Sequence, residues 1–105
     1  MAEQRAVVRM WTGVVRTVDR DAYVNYIERT GMEAYRATNG NLDAWLLSRD
    51  LSDGRTEITT VSRWESLEAI AEFAGPDAER AVFYAEDDTY LVERDDRVRH
   101  YMQHT

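Results

Sequence analysis

The sequence holds two histidines, His100 and His104, and no cysteine, so proton transfer near neutral pH rests on an imidazole. His104 is next to the last residue, where chains fray. His100 lies in the run VRHYM and alternates with Val98 and Met102, so its ring shares their strand face. On a face turned inward, it is either a hydrogen-bonded core group or a base. Burial would hold it neutral and ready to accept a proton. As a base it would take a proton from a weakly acidic group of a bound molecule.

Aromatic residues supply a second constellation. Tyr23 and Tyr26 lie three apart in a helical stretch, Phe83 and Tyr84 lie together further on, and Trp64 and Phe73 fall between. Facing one another, these rings would make a box for a flat ligand, with Tyr84 or Tyr26 donating to a ligand oxygen. Trp64 stands where a strand turns into a helix, as a core plug or as a pocket wall. Arg9 is expected to pair with Glu57 or Asp43 across a dimer, or to be solvated at the rim. The runs Glu86-Asp87-Asp88 and Asp95-Asp96 lack the spacing that converges oxygens on a cation and read as solvated surface, so no metal is expected. There is no glycine-rich phosphate loop, nucleophile elbow or HExxH.

The elements that position these groups follow from periodicity. Ala6 to Arg16 alternates as a strand, with Val8, Met10, Thr12 and Val14 on one face and Val7, Arg9, Trp11, Gly13 and Val15 on the other. Asp19 is the expected N-cap of a helix running to about Arg36, with Val18 stapled on Tyr23. Gly31 inside that helix costs about 1 kcal/mol relative to alanine, which a close backbone contact or a ligand would account for. Leu42 to Leu51 is a second strand, and Asp53-Gly54 a hairpin turn into a third at Thr56 to Trp64. Ser66 caps a short helix that Gly75-Pro76 stops. Asp77 is expected to cap another helical turn bearing Ala78, Ala81, Val82 and Ala85. Tyr90, Leu91 and Val92 form a small apolar patch, and Arg97 to Gln103 is the last strand.

The order strand, helix, strand, strand, helix, strand is the split βαβ arrangement, an α+β fold with a four-stranded antiparallel sheet and helices on one face. Trp11, Val15, Val61 and Tyr101 are expected on the uncovered face, which a second copy would bury in a homodimer.

The chain of 105 residues reads as one domain, 1–105, with 44% hydrophobic residues. A net charge of -7 argues against nucleic acid. The N-terminal MAEQRAVVRM lacks the apolar run of a signal peptide and no segment is long enough to cross a bilayer, so no membrane partner is expected and the expected compartment is the cytoplasm.

The element order, the RWES corner, FAGPDAERAVFYAEDDTYL and the closing VRHY resemble the antibiotic biosynthesis monooxygenase family, over nearly the whole chain. The resemblance implies a ferredoxin-like fold, pairing into a dimeric α/β barrel, and a pocket between sheet and helices. It further implies either cofactor-independent oxidation of phenols or hydroquinones by oxygen, or haem binding and cleavage; many such proteins have no assigned activity. Trp64 matches the tryptophan set against substrate. Thr60 stands where polyketide-oxidising members have asparagine, and Ile70 where some have tyrosine. The asparagine of haem-degrading members is missing from the first strand, and no histidine lies between Trp64 and Val98. The reading is thus a monooxygenase without cofactor, with His100 and Trp64 catalytic and Tyr23, Tyr26, Phe73, Phe83, Tyr84 and Thr60 binding a small aromatic substrate. The alternatives are a dimeric ligand-binding or stress-related protein, and a haem protein with His100 as axial ligand.

Overall fold

In the computed structural model residues 5–105 are described; residues 1–4, which begin the stretch expected to carry no leader, lie outside them. Strand β1 (Val7–Arg16) runs through the middle of the sheet. The Asp53-Gly54 turn, with φ of 68° and 71°, joins β2 (Asn41–Asp50) to β3 (Arg55–Trp64). Both values are left-handed, as a two-residue turn matching strand twist requires. β3 pairs antiparallel with β1 along its whole length and with β2 on its other side.

The far edge of β1 is shared by two short strands. β4 (Leu91–Arg94) pairs with Gly13, Val14 and Val15, and β5 (Arg99–Met102) with Val7 to Met10. The four expected strands are therefore four lanes, the last of them in two pieces, which gives five strands among the described residues. Arg94 faces Gly13 and Arg99 faces Met10, so the chain spends more residues along this edge than β1 does. The surplus bulges out and pairs elsewhere: Val98 N–H donates to the Glu79 carbonyl (2.7 Å) and Ala81 N–H to that of Asp96 (2.9 Å). This is why the expected helical turn after Asp77 does not form. Residues 76–86 run as coil stitched to the bulge, and the Asp77 carboxylate is taken by Arg97 (2.9 and 3.2 Å).

The expected first helix is a composite. A 3-10 turn (Thr17–Asp19) leads into α1 (Arg20–Ile27), a π-helical turn (Glu28–Met32) and α2 (Glu33–Ala37). Asp19 does not cap it; its carboxylate accepts from Arg16 Nε (3.0 Å). The intervening 3-10 turn leaves Val18 85% exposed, so there is no staple on Tyr23. The next helix, α3 (Leu67–Ala74), forms as expected, with Ser66 Oγ accepting from Ala69 N–H (3.1 Å) and Gly75 at φ 87° ending it. A last turn, α4 (Asp87–Tyr90), precedes β4.

The helices cover the sheet face that carries Arg9, Trp11 and Val15, which overturns the expected placement of Trp11 and Val15 on the open face. Alternation says which residues share a face; it does not say which face the helices take. Trp11 and Val15 pack with Tyr23, Tyr26, Ile27 and Ile58, while Val61 and Tyr101, opposite Met10 and Val8, do lie on the open face. Arg9 is carried inward too, 1% exposed, and has neither expected acid as partner: Glu57 binds Arg49 and Asp43 binds Arg63. Among the described residues no helix is long and apolar enough to cross a membrane.

Gly13 has a steric reason. The Trp11 indole lies across it, held by Nε1–H donating to the Asp95 carbonyl (2.7 Å), and a Cβ at Gly13 would stand 2.5 Å from Trp11 Cη2 and 2.8 Å from Leu91 Cδ2. Gly13→Ala should therefore cost about 1–3 kcal/mol, as overpacking does. Urea unfolding measures this; an unchanged midpoint would mean that the indole moves freely.

Candidate functional site

A cavity lies between the sheet and the composite helix. Arg9 and Trp11 of β1 and Thr60 of β3 form its floor. Tyr23 of α1, Gly31 of the π-helical turn and Tyr35 of α2 form one wall. Val82, Phe83 and Tyr84, on the coil, form the cover, with Asp87 beside them. Gly31 lies on the cavity wall, where a Cβ would stand in ordinary contact with Tyr84 and Ile27, each at 3.6 Å. The cavity volume is about 30 Å³, room for roughly two waters. A ring-sized ligand therefore enters only if the cover shifts. That cover lacks regular structure, and Phe83 rests on Trp11 edge-on at 6.1 Å and beneath the Arg94 guanidinium at 4.3 Å.

Of the residues expected to meet a ligand, Tyr23, Thr60, Phe83 and Tyr84 line this cavity; Tyr26, Phe73, Trp64 and His100 do not. The single aromatic box is instead two clusters. Tyr26 packs on Tyr23 and Tyr90, and its hydroxyl accepts from Glu86 N–H (3.0 Å). Trp64 is fully buried, with Nε1–H donating to Ser62 Oγ (2.8 Å), and meets Tyr35 edge-on at 5.9 Å. Phe73 tilts on Tyr35 at 4.6 Å. Trp64 and Phe73 therefore stand behind Tyr35, which separates them from the cavity.

His100 occupies the helix-facing side of β5, opposite Arg9, and lies near Ala78, Glu79 and Leu67 outside the cavity. Its Nε2 is 3.1 Å from Arg9 Nη1. A guanidinium only donates, so Nε2 is the acceptor and the ring proton sits on Nδ1. Burial, and then the Arg9 charge, lower the His100 pKa from its ordinary value. While that bond lasts the Nε2 lone pair is occupied, and the imidazole does not reach a molecule in the cavity.

The charged groups of the cavity are Arg9 and Asp87, and both depart from expectation. Asp87, expected in a solvated acidic run, is 4% exposed and accepts from Tyr23 Oη (3.1 Å) and Tyr84 N–H (2.6 Å). The second bond closes the turn between Tyr84 and Asp87, where Asp87 N–H in return donates to the Tyr84 carbonyl (3.0 Å). Burial first, and then the Asp87 charge, push the Tyr23 phenol far up; burial raises Tyr84 as well. Both phenols keep their protons and remain donors. Arg9 Nη1 also donates to the Ala78 carbonyl and Nη2 to that of Arg80 (3.2 Å), while Nε is buried with no partner.

The residues present do not fit haem. His100 is half-buried, its Nε2 accepts from Arg9, and no imidazole is among the residues that line the cavity. Among the described residues, no three of His, Asp or Glu gather into a metal-binding group.

Neither a family model nor a curated protein matches the sequence. Solved structures do match. A Bacillus cereus protein named as a candidate antibiotic biosynthesis monooxygenase superposes with a TM-score of 0.69 at 18% identity, over 96% of this chain and 95% of that one. The fold is that of the antibiotic biosynthesis monooxygenase proteins. A Nitrosomonas europaea structure named in the same way gives a TM-score of 0.61 at 12% identity over 98% of this chain and 92% of that one. A Mycobacterium tuberculosis protein named as haem-degrading gives 0.59 at 18% identity, over 91% of each chain.

The lowered His100 pKa has a signed consequence. The unfolded chain takes up this proton near pH 6.5, the folded chain only at lower pH. The stability tied to neutral His100 is therefore present above pH 6.5 and is lost as pH falls toward the folded pKa. His100→Gln should flatten that part of the stability-versus-pH curve, and an NMR titration should place the His100 midpoint below that of histidine in an unstructured peptide. A midpoint at the peptide value would contradict the Arg9 contact.

Proposed function

We propose that the protein binds a small, electron-rich aromatic molecule in the cavity beneath Phe83 and Tyr84 and oxidises it with molecular oxygen, using no bound cofactor. The observation that carries this reading is the lining itself. Trp11, Tyr23, Tyr35, Phe83 and Tyr84 surround a space that also contains one carboxylate, Asp87. Such walls suit a flat ring, and the Tyr84 phenol, which holds its proton, suits a ring oxygen, while that of Tyr23 is given to Asp87.

In the reaction, a phenolic proton leaves, and the anion passes one electron to oxygen. The substrate radical and superoxide then join in a C–O bond, and loss of water leaves a carbonyl. One CH2 and one O2 give one C=O and one water. Asp87 is the charged acceptor in the cavity, so the proton is assigned to it. His100, expected from sequence as the base, acts through its bond to Arg9 and positions that side chain. The walls exclude water from the radical pair once the cover closes.

The test is oxygen uptake by the purified protein with an anthrone, whose enol form supplies the phenolic proton and whose CH2 becomes the carbonyl. Asp87→Asn should lower kcat about 100-fold, with activity recovering as rising pH ionises the substrate by itself. Saturable binding seen as thermal stabilisation, with no oxygen consumed, would reduce the function to ligand binding.

We propose also that two copies pair through the open sheet face. On it Trp45 and Leu47 of β2 are 41% and 51% exposed and Tyr101 of β5 is 48% exposed, around the buried Val61. From Leu47 onward β2 is exposed on both faces, so its half of the hairpin lacks cover from its own helices. Leu47→Glu combined with Tyr101→Glu should halve the mass measured by light scattering. A wild-type protein that is already monomeric at micromolar concentration would refute the pairing.

A further inference from the structure

We infer that Arg9 is an anion receptor at the cavity floor, and that the ligand carries a carboxylate. This rests on the cavity being the binding site, and it adds the chemical class of what enters.

A guanidinium keeps its proton at any physiological pH, and burying it without a counter-charge is costly. Arg9 is 1% exposed, and its partners are two backbone carbonyls and a neutral imidazole. None of these carries a negative charge. The acids on the neighbouring coil are spent elsewhere, since Asp77 and Glu79 both pair with Arg97. Asp87 shares the cavity but is bound to Tyr23 and Tyr84. The Phe73 ring, 5.7 Å from the guanidinium carbon, adds only a quadrupole. Among the described residues the charge is thus solvated by dipoles and left without an ion.

The geometry of the unused donors is specific. Nη1 serves Ala78 and His100, and Nη2 spends one proton on Arg80. That leaves Nε–H, buried with no acceptor, and the second proton of Nη2. A guanidinium fork matches the two oxygens of a planar carboxylate, which accept in parallel. A neutral carbonyl could accept one such bond and would leave the charge uncompensated. The contacts on Nη1 and Nη2 fix the plane of the fork before any ligand arrives, so little ordering remains to be done on binding. The carboxylate of Asp87 repels an anion from its own side of the cavity, which gives the ligand one orientation.

The experiment compares benzoate with benzamide, probes of nearly equal shape that differ in charge, by calorimetry on the wild-type protein. Benzoate should bind at least tenfold more tightly, and Arg9→Met should remove the difference between the two probes. Benzoate should also shift the side-chain nitrogen resonances of His100 and leave those of His104 in place, which locates the anion without a variant. Equal binding of the two probes in the wild type, or a benzoate preference that survives Arg9→Met, would overturn the assignment and leave the cavity as a neutral aromatic site. Failure of both probes to bind would overturn the cavity reading together with this one.

Discussion

A guanidinium cannot give up its proton, so a chain that buries one must bring acceptors to it. Arg9 imposes that requirement on this molecule. The carbonyls of Ala78 and Arg80 have to approach β1, which keeps residues 76–86 extended enough to expose them. That path in turn lays Val82, Phe83 and Tyr84 over the cavity. His100 completes the arrangement from β5, across the sheet from Arg9. The bulge in the last lane matters for the same reason: its backbone groups satisfy the coil at Glu79 and Ala81, which a helix would have satisfied internally.

Much of the fold was legible in the residues because local chemistry and tertiary structure agree there. The strand alternation, the Asp53-Gly54 turn, the Ser66 cap and the Gly75 stop each have a short-range cause, and each appears where its residues put it. What escaped was decided at long range. The run from Asp77 to Ala85 is rich in alanine and reads as helix, yet Arg9 and the bulge claim its backbone. Both faces of β1 are apolar enough to be covered, so pattern alone could not say that Trp11 and Val15 turn inward.

The candidate site was partly legible. Tyr23, Thr60, Phe83 and Tyr84 were named from aromatic spacing and from resemblance, and they line the cavity. Arg9 and Asp87 were missed because charged residues are seldom buried, and a solvated reading is the better wager for any one of them. Trp64 shows the converse error: a conspicuous ring at a corner sits in the core behind Tyr35. The similar solved structures share the fold at 12–18% identity, so chemistry has to be argued from the lining of this chain's own cavity.

The π-helical turn lets one helix keep two phases. Its first half presents Tyr23, Tyr26 and Ile27 to one core cluster, and its second presents Met32 and Tyr35 to another. A uniform α-helix offers a single stripe and could not serve both. Each residue advances an α-helix by about 100°, so deleting one position from the turn would rotate all that follows it and swing Tyr35 off both the cavity and Trp64. The turn acts as a phase joint. It lets the sequence on either side of it drift in response to a different half of the core, and it couples any change in its own length directly to the shape of the binding space.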